Sequence, residues 1–229
     1  VLTPEETEAL FLSLRVSLWA TLTSLPLAVL VGTLLGRREF PGKQLVNGIV
    51  HLPLVLPPVV TGYLLLLLLG RRGPLGALLD QAFGVIVAFR WTGAAIAAAV
   101  MGFPLMVRAV RLSVEAVDPG LEAAGATLGA SRLWVFATVT LPLTAPGIIA
   151  GAVLGFGKSL GEFGATITFV SNIPGETRTL PLAIYTYTQV PGGDAQAWRL
   201  TLISVALSMA ALLGSELLAR RVARRLRDG

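Results

Sequence analysis

Lys158 and Glu162 stand four residues apart, just after Leu133 to Gly157, twenty-five residues without a formal charge. That spacing puts an ammonium and a carboxylate on one face of a helix, where they can pair. Centrally placed in a bilayer, each would cost about 2.5–3.5 kcal/mol, so they must pair, lie near the membrane edge or face water. Two uses of them are open. Either the pair is structural, or Lys158 sets the field for an anionic permeant while Glu162 limits how tightly it binds.

Other chemistry has little to work with. Gly157-Lys158-Ser159 looks like the end of a phosphate-binding loop, but that pattern needs a glycine five positions before Gly157. Ala152 stands there and Gly151 is one place too early, inside an apolar segment, so the chain does not read as a nucleotide site. His51 is the only histidine and no cysteine is present. Disulfides and thiolate metal sites are therefore excluded, and a nucleophile-base or metal-based intramembrane enzyme lacks its residues. His51 reads as a packing residue at a membrane edge.

The elements that must hold these residues are membrane spans. Hydrophobic side chains make up 54% of the chain, charged ones 14%, and mean hydropathy is +0.77, too apolar for an ordinary soluble domain. Five spans are expected, near 10–36, 49–69, 91–112, 133–157 and 200–218, in one transmembrane domain covering 1–229. Val1 to Glu8 lacks a basic n-region and a small-residue cleavage site. Thr3, Pro4 and Glu6 instead form a capping box that starts a helix. Pro53, Pro57 and Pro58 break up the first half of the second span, which must then pack on protein or line a polar passage. Residues 75–89 read as a surface or re-entrant helix, and Ala165 to Val170 is apolar enough to dip into the bilayer. Gly147, Gly151 and Gly155 recur every four residues and admit a close neighbour, as helix packing, as part of a translocation pathway, or both.

One polar stretch separates the third and fourth spans. Asp118 can cap a helix beginning at Pro119 and Gly129 can end it. Leu121, Ala124, Gly125 and Leu128 then share a face. Ten residues with one narrow apolar face are marginal alone in water, so this helix needs a partner.

Charge sets the orientation. The net charge of +5 comes from sixteen Arg and two Lys against thirteen acids. No aromatic-basic platform accompanies it, which argues against nucleic acid. Segments 37–48, 108–132 and 220–229 hold three, three and five basic residues; the opposite side holds six. By the positive-inside rule the N-terminus lies outside and the polar stretch and C-terminus inside.

Glu122-Ala123-Ala124, Gly129 and Val139-Thr140-Leu141-Pro142 resemble the EAA loop of the permease subunits of bacterial ABC importers, with Val139 for the usual Ile. Glu122 lies seven positions before Gly129, where the common pattern has six. FPGKQLVNGIVHLPLVLPPVVTGYLLL, FPLMVRAVRLSVEAVD and SLGEFGATITFVSNIPGETRTLP are similar to the molybdate permeases within that family; sulfate and tungstate permeases share parts of them. The resemblance implies an all-α polytopic protein of the type I importer permease fold in the bacterial inner membrane, moving an oxyanion by alternating access. It implies a second permease copy, two ABC ATPase subunits carrying ATP and Mg, and a periplasmic or extracytoplasmic oxyanion-binding protein, with no cofactor on this chain. ATPase coupling would fall to Leu121, Glu122, Ala123, Ala124, Leu128 and Gly129 in a loop spanning 115–133. The pathway would involve Gly151, Gly155, Lys158 and Glu162. A passive anion channel would have no need of the helix at 119–128.

Overall fold

The computed structural model describes residues 2–228. The side chains of Ser215, Ala219, Arg220 and residues 222–228 fall outside that description, including the arginines 220, 224, 225 and 227 expected to flank the last span. The chain is helical throughout: α1 (Pro4–Arg37), α2 (Lys43–Val55), α3 (Pro58–Leu69), α4 (Pro74–Phe83), α5 (Trp91–Glu115), α6 (Pro119–Thr127) and α7 (Arg132–Val135) come first. A π-helical turn (Phe136–Thr140), α8 (Leu141–Leu160), α9 (Gly164–Val170), α10 (Leu180–Thr188) and α11 (Asp194–Asp228) complete it. Segments Pro4–Arg37, Trp91–Glu115, Arg132–Leu160 and Asp194–Leu218 are each long and apolar enough to cross a membrane.

The expected second span, 49–69, is not one straight helix. α2 and α3 meet at 114°, and the reason is local. Pro57 and Pro58 bring no N–H to the helical ladder, and a residue before proline is pushed out of the α region, as Leu56 is at φ −70°, ψ 143°. Pro58 then restarts the helix at its first position, where the missing donor costs nothing. Residues 74–83 form the short helix α4, capped by Gly84 at φ +63°, so the segment read as a helix over 75–89 is helical only to Phe83.

α5 is the central post, and small residues make it so. Gly93, Ala94, Ala95, Ala97 and Ala98 are buried along its first half. There they meet Val16 and Ala20 of α1 and Phe169 and Val170 of α9. Lower down, a methyl at Gly32 of α1 would come 2.8 Å from Val110. In lipid the hydrophobic effect does not draw helices together, so backbones this close gain their attraction from dispersion and hydrogen bonds. Ser159 Oγ donates to the Ala98 carbonyl at 3.3 Å, and Ser13 Oγ accepts the Leu180 N–H at 2.6 Å.

The apolar segment after Gly164 forms α9, which packs against protein. Ala165, Thr166, Phe169 and Val170 are buried, with α3 as a main neighbour. At the far end of the bundle the capping box is as the sequence reads. Thr3 N donates to Glu6 Oε2 at 2.7 Å, Glu6 N donates to Thr3 Oγ1 at 3.2 Å, and Glu6 Oε1 pairs with Arg199 of α11 at 2.8 Å.

The α3–α9 contact gives a direct test. A Cβ at Gly62 would sit 2.5 Å from the Ala165 carbonyl oxygen and 2.8 Å from its Cα, whereas at Gly157 it would meet nothing within 4 Å. Gly62→Ala should destabilise by roughly 1–3 kcal/mol through backbone overpacking, with Gly157→Ala near neutral. Thermal unfolding of the purified protein checks the contrast; equal melting temperatures would mean the two helices are not so tightly joined.

Candidate functional site

The polar stretch folds as its letters suggest. Asp118 accepts the Gly120 N–H at 2.8 Å, Pro119 opens α6, and Gly129 ends it at φ +81°. Gly129 N donates to the Ala126 carbonyl at 3.0 Å and Ala130 N to that of Gly125 at 3.3 Å, the paired bonds of a Schellman turn. Ser131 then caps α7 through the Trp134 N–H at 3.2 Å. Any side chain in place of Gly129 would strain this reversal.

The expected apolar face divides between two jobs. Gly125 faces inward, where a Cβ would lie 3.0 Å from Val135. Leu121, Ala123, Ala124 and Leu128 are exposed, Leu128 at 88%, and Leu133 and Trp134 of α7 continue the uncovered surface. Gly125, Leu128, Gly129, Ala130, Ser131 and Trp134 border a shallow cavity of about 440 Å³. α6 therefore presents an exposed leucine beside a concavity.

Glu122 points the other way, into the bundle. Its Oε1 pairs with Arg37 Nη2 at the end of α1, 3.0 Å away, and accepts Thr140 Oγ1 from the π turn at 2.7 Å. Arg37 Nη2 also donates to the Val117 carbonyl at 3.0 Å. One carboxylate thus ties α6 to the ends of two spans. The π turn sets Thr140 in place: Pro142 lacks an N–H, and Leu141 N reaches back five residues to the Phe136 carbonyl. The resemblance put Glu122 with the residues that would couple to an ATPase; the structure turns it inward onto Arg37 and Thr140, two partners that sequence reasoning missed. Arg37 counted only as a flanking charge, and no local pattern links residues 37, 122 and 140.

At the end of α8, Lys158 Nζ donates to Glu162 Oε2, so the pair does form. Glu162 is buried, and its second oxygen accepts the Ala165 N–H at 3.0 Å, which starts α9. Lys158 keeps 29% of its side chain exposed. Gly151 and Gly155 lie against α5: a Cβ at Gly151 would be 3.2 Å from the Met106 carbonyl, and at Gly155 2.8 Å from Met106 Cγ. Their open sides are filled by that helix, which is the close neighbour the four-residue repeat admits. His51 Nδ1 lies 2.9 Å from the Asn47 carbonyl, in a small cavity shared with Arg108 and Arg111. Arg111 pairs with Glu115 at 2.7 Å as its spacing implies. Among the described residues no group of three or more His, Cys, Asp or Glu is placed to hold a metal.

A family model described as "binding-protein-dependent transport system inner membrane component" matches residues 28–226. The chain belongs to that family. It is 61% identical over 220 residues to the molybdenum transport system permease protein ModB of Escherichia coli K12, covering 96% of each chain. It is 55% identical over 224 residues to the protein of the same name from Haemophilus influenzae, covering 98% of each. Among solved structures, a bacterial alginate ABC transporter in complex with a pentasaccharide-bound periplasmic protein superposes with a TM-score of 0.75 at 17% identity, over 96% of this chain and 80% of that one. The chain is therefore a membrane-spanning permease subunit with the fold of ABC importer permeases.

Within this permease, the Lys158–Glu162 pair is testable apart from transport. Lys158→Ala leaves a buried carboxylate with a single N–H partner, whereas removing both charges leaves none. Lys158→Ala should lower the melting temperature of the purified protein by several degrees, about 2–4 °C per kcal/mol at this size. The double variant K158M/E162Q should recover most of that loss. A double variant less stable than the single one would contradict the pairing.

Proposed function

We propose that this chain forms the membrane pathway of an importer that carries molybdate into the cell by alternating access. The 61% identity to a molybdenum permease along nearly the whole chain carries this reading. The charge count supports a cytoplasmic placement for the 115–133 loop, with the N-terminus outside. Two copies enclose the pathway, and an extracytoplasmic oxyanion-binding protein delivers the anion. Two separate ATPase subunits bind ATP and Mg and grip α6 through Leu121, Ala123, Ala124 and Leu128, with Gly129 fixing the reversal.

In mechanical terms, α6 is a short lever with two ends. Its exposed leucines receive the motion, and Glu122 hands it to α1 through Arg37 and to α8 through Thr140. Close glycine contacts between α5 and its neighbours let packed helices move between discrete arrangements rather than deform continuously. Lys158, partly exposed beside its carboxylate, supplies a positive field near the pathway without a deep well for the anion.

Uptake of labelled molybdate by cells making the complete importer, with tungstate and sulfate as competitors, tests the assignment. Tungstate, equal in charge and shape, should compete at similar concentration, and sulfate should need a large excess. Leu128→Asp should abolish uptake at unchanged membrane level. Sulfate as the better competitor would move the assignment to a sulfate importer, and uptake that survives Leu128→Asp would favour a passive channel.

A further inference from the structure

A polar cavity of about 270 Å³ lies between α2 and α5. Asn47 and His51 border it from α2, and Arg108, Arg111, Leu112 and Glu115 border it from α5. Leu112 is the one apolar side chain among them, so the cavity offers no wall for an acyl chain. Its charge is unbalanced, with two guanidinium groups against one carboxylate. Glu115 takes Arg111 Nε at 2.7 Å, while Arg108 is exposed and has no ion pair or hydrogen bond among the described residues.

Three donors here are open. Arg111 Nη1 donates to Asn47 Oδ1 at 3.1 Å, which turns the amide so that Asn47 Nδ2 is left unspent, and Arg111 Nη2 is left as well. The Arg108 guanidinium is the third. None is sealed from water: Arg108 is exposed, and neither of the other two atoms is fully buried. Arg108 also lies in Trp91–Glu115, a segment long and apolar enough to cross a membrane. A guanidinium in such a helix with no protein partner turns to water or to a ligand. Open donors around an excess of positive charge suit a small anion with several oxygens.

We propose that this cavity is a waypoint for the imported oxyanion on the cytoplasmic side, a step that rests on the proposed molybdate import. Asn47, Arg108 and Arg111 belong to the two basic segments that the charge count puts inside, 37–48 and 108–132. The dianion accepts from Arg108, Arg111 Nη2 and Asn47 Nδ2 and so bridges α5 to α2. Glu115 offsets part of the field, which keeps the anion able to leave. Because the donors come from two helices, the site is whole only while α2 lies on α5 as it does here, and a shift of α2 releases the anion.

The chain has no cysteine, so His51→Cys sets one thiol per permease copy at the cavity while leaving the three donors in place. The complete importer is held in phosphatidylcholine nanodiscs, where both faces meet the solution, and treated with N-ethylmaleimide. The mass of the permease chain reports the rate. Sodium molybdate should slow modification roughly tenfold at about ten times its dissociation constant, against sodium chloride of equal ionic strength. In H51C/R108M that protection should fall below about twofold. Leu112→Cys, exposed on the same cavity, is the second reporter should His51→Cys fail to assemble. Stronger protection by sulfate than by molybdate would keep the site and overturn the molybdate assignment. A thiol that no oxyanion protects, protection that survives Arg108→Met, or slowing by added phosphatidylglycerol and not by molybdate would overturn the proposal.

Discussion

A single carboxylate holds the arrangement together. Glu122 receives a guanidinium from α1 and a hydroxyl from the π turn that leads into α8, and the same guanidinium reaches the Val117 carbonyl just before α6. Without that junction α6 would be a nine-residue helix with most of its surface in water, too short to persist by itself. With it, the helix has a fixed height and direction relative to two spans. The pair is half-buried, worth on the order of 1 kcal/mol as a stabiliser, so its importance is one of position rather than of strength.

The junction works because the bundle behind it is tightly packed. α5 presents alanines and glycines along its first half, where Phe169 and Val170 of α9 fill the space, and farther on its own larger side chains fill glycine gaps in its neighbours, Val110 against Gly32 of α1 and Met106 against Gly155 of α8. Such contacts favour movement of helices as bodies. In the proposed mechanism a displacement received at Leu128 would reach α1 and α8 whole, instead of being absorbed locally. At the other end of α8, the Lys158–Glu162 pair and the Ala165 N–H join that helix to α9, which packs on α3. The same span thus touches the coupling helix at one end and the bent α2–α3 segment, through α9, at the other.

Much of this was legible in the letters, because much of it is local. The capping box at Thr3, the start of α6 at Pro119, its end at Gly129 and the pairs at four-residue spacing follow from neighbours in sequence, and each is found. The bend between α2 and α3 was only half legible. The prolines announced the break but neither its 114° angle nor that α2 would lie on α5 and α3 on α9, both distant in the chain. Arg37, Glu122 and Thr140 were not legible as a group, since a carboxylate carries no sign of which distant cation it will meet. Gly151 and Gly155 show the converse: the repeat marked a close approach without saying that the neighbour is α5.

The central claim is that Arg37 and Glu122 act as one unit in passing motion from the coupling helix to the bundle. A double-mutant cycle on the complete importer, reading uptake per ATP hydrolysed for R37M, E122Q and R37M/E122Q, measures this directly. Each single variant should lower that ratio several-fold, and the double variant should be no worse than the poorer single one. Effects that simply multiply would show that the two side chains act independently, and the junction would lose its place in the mechanism.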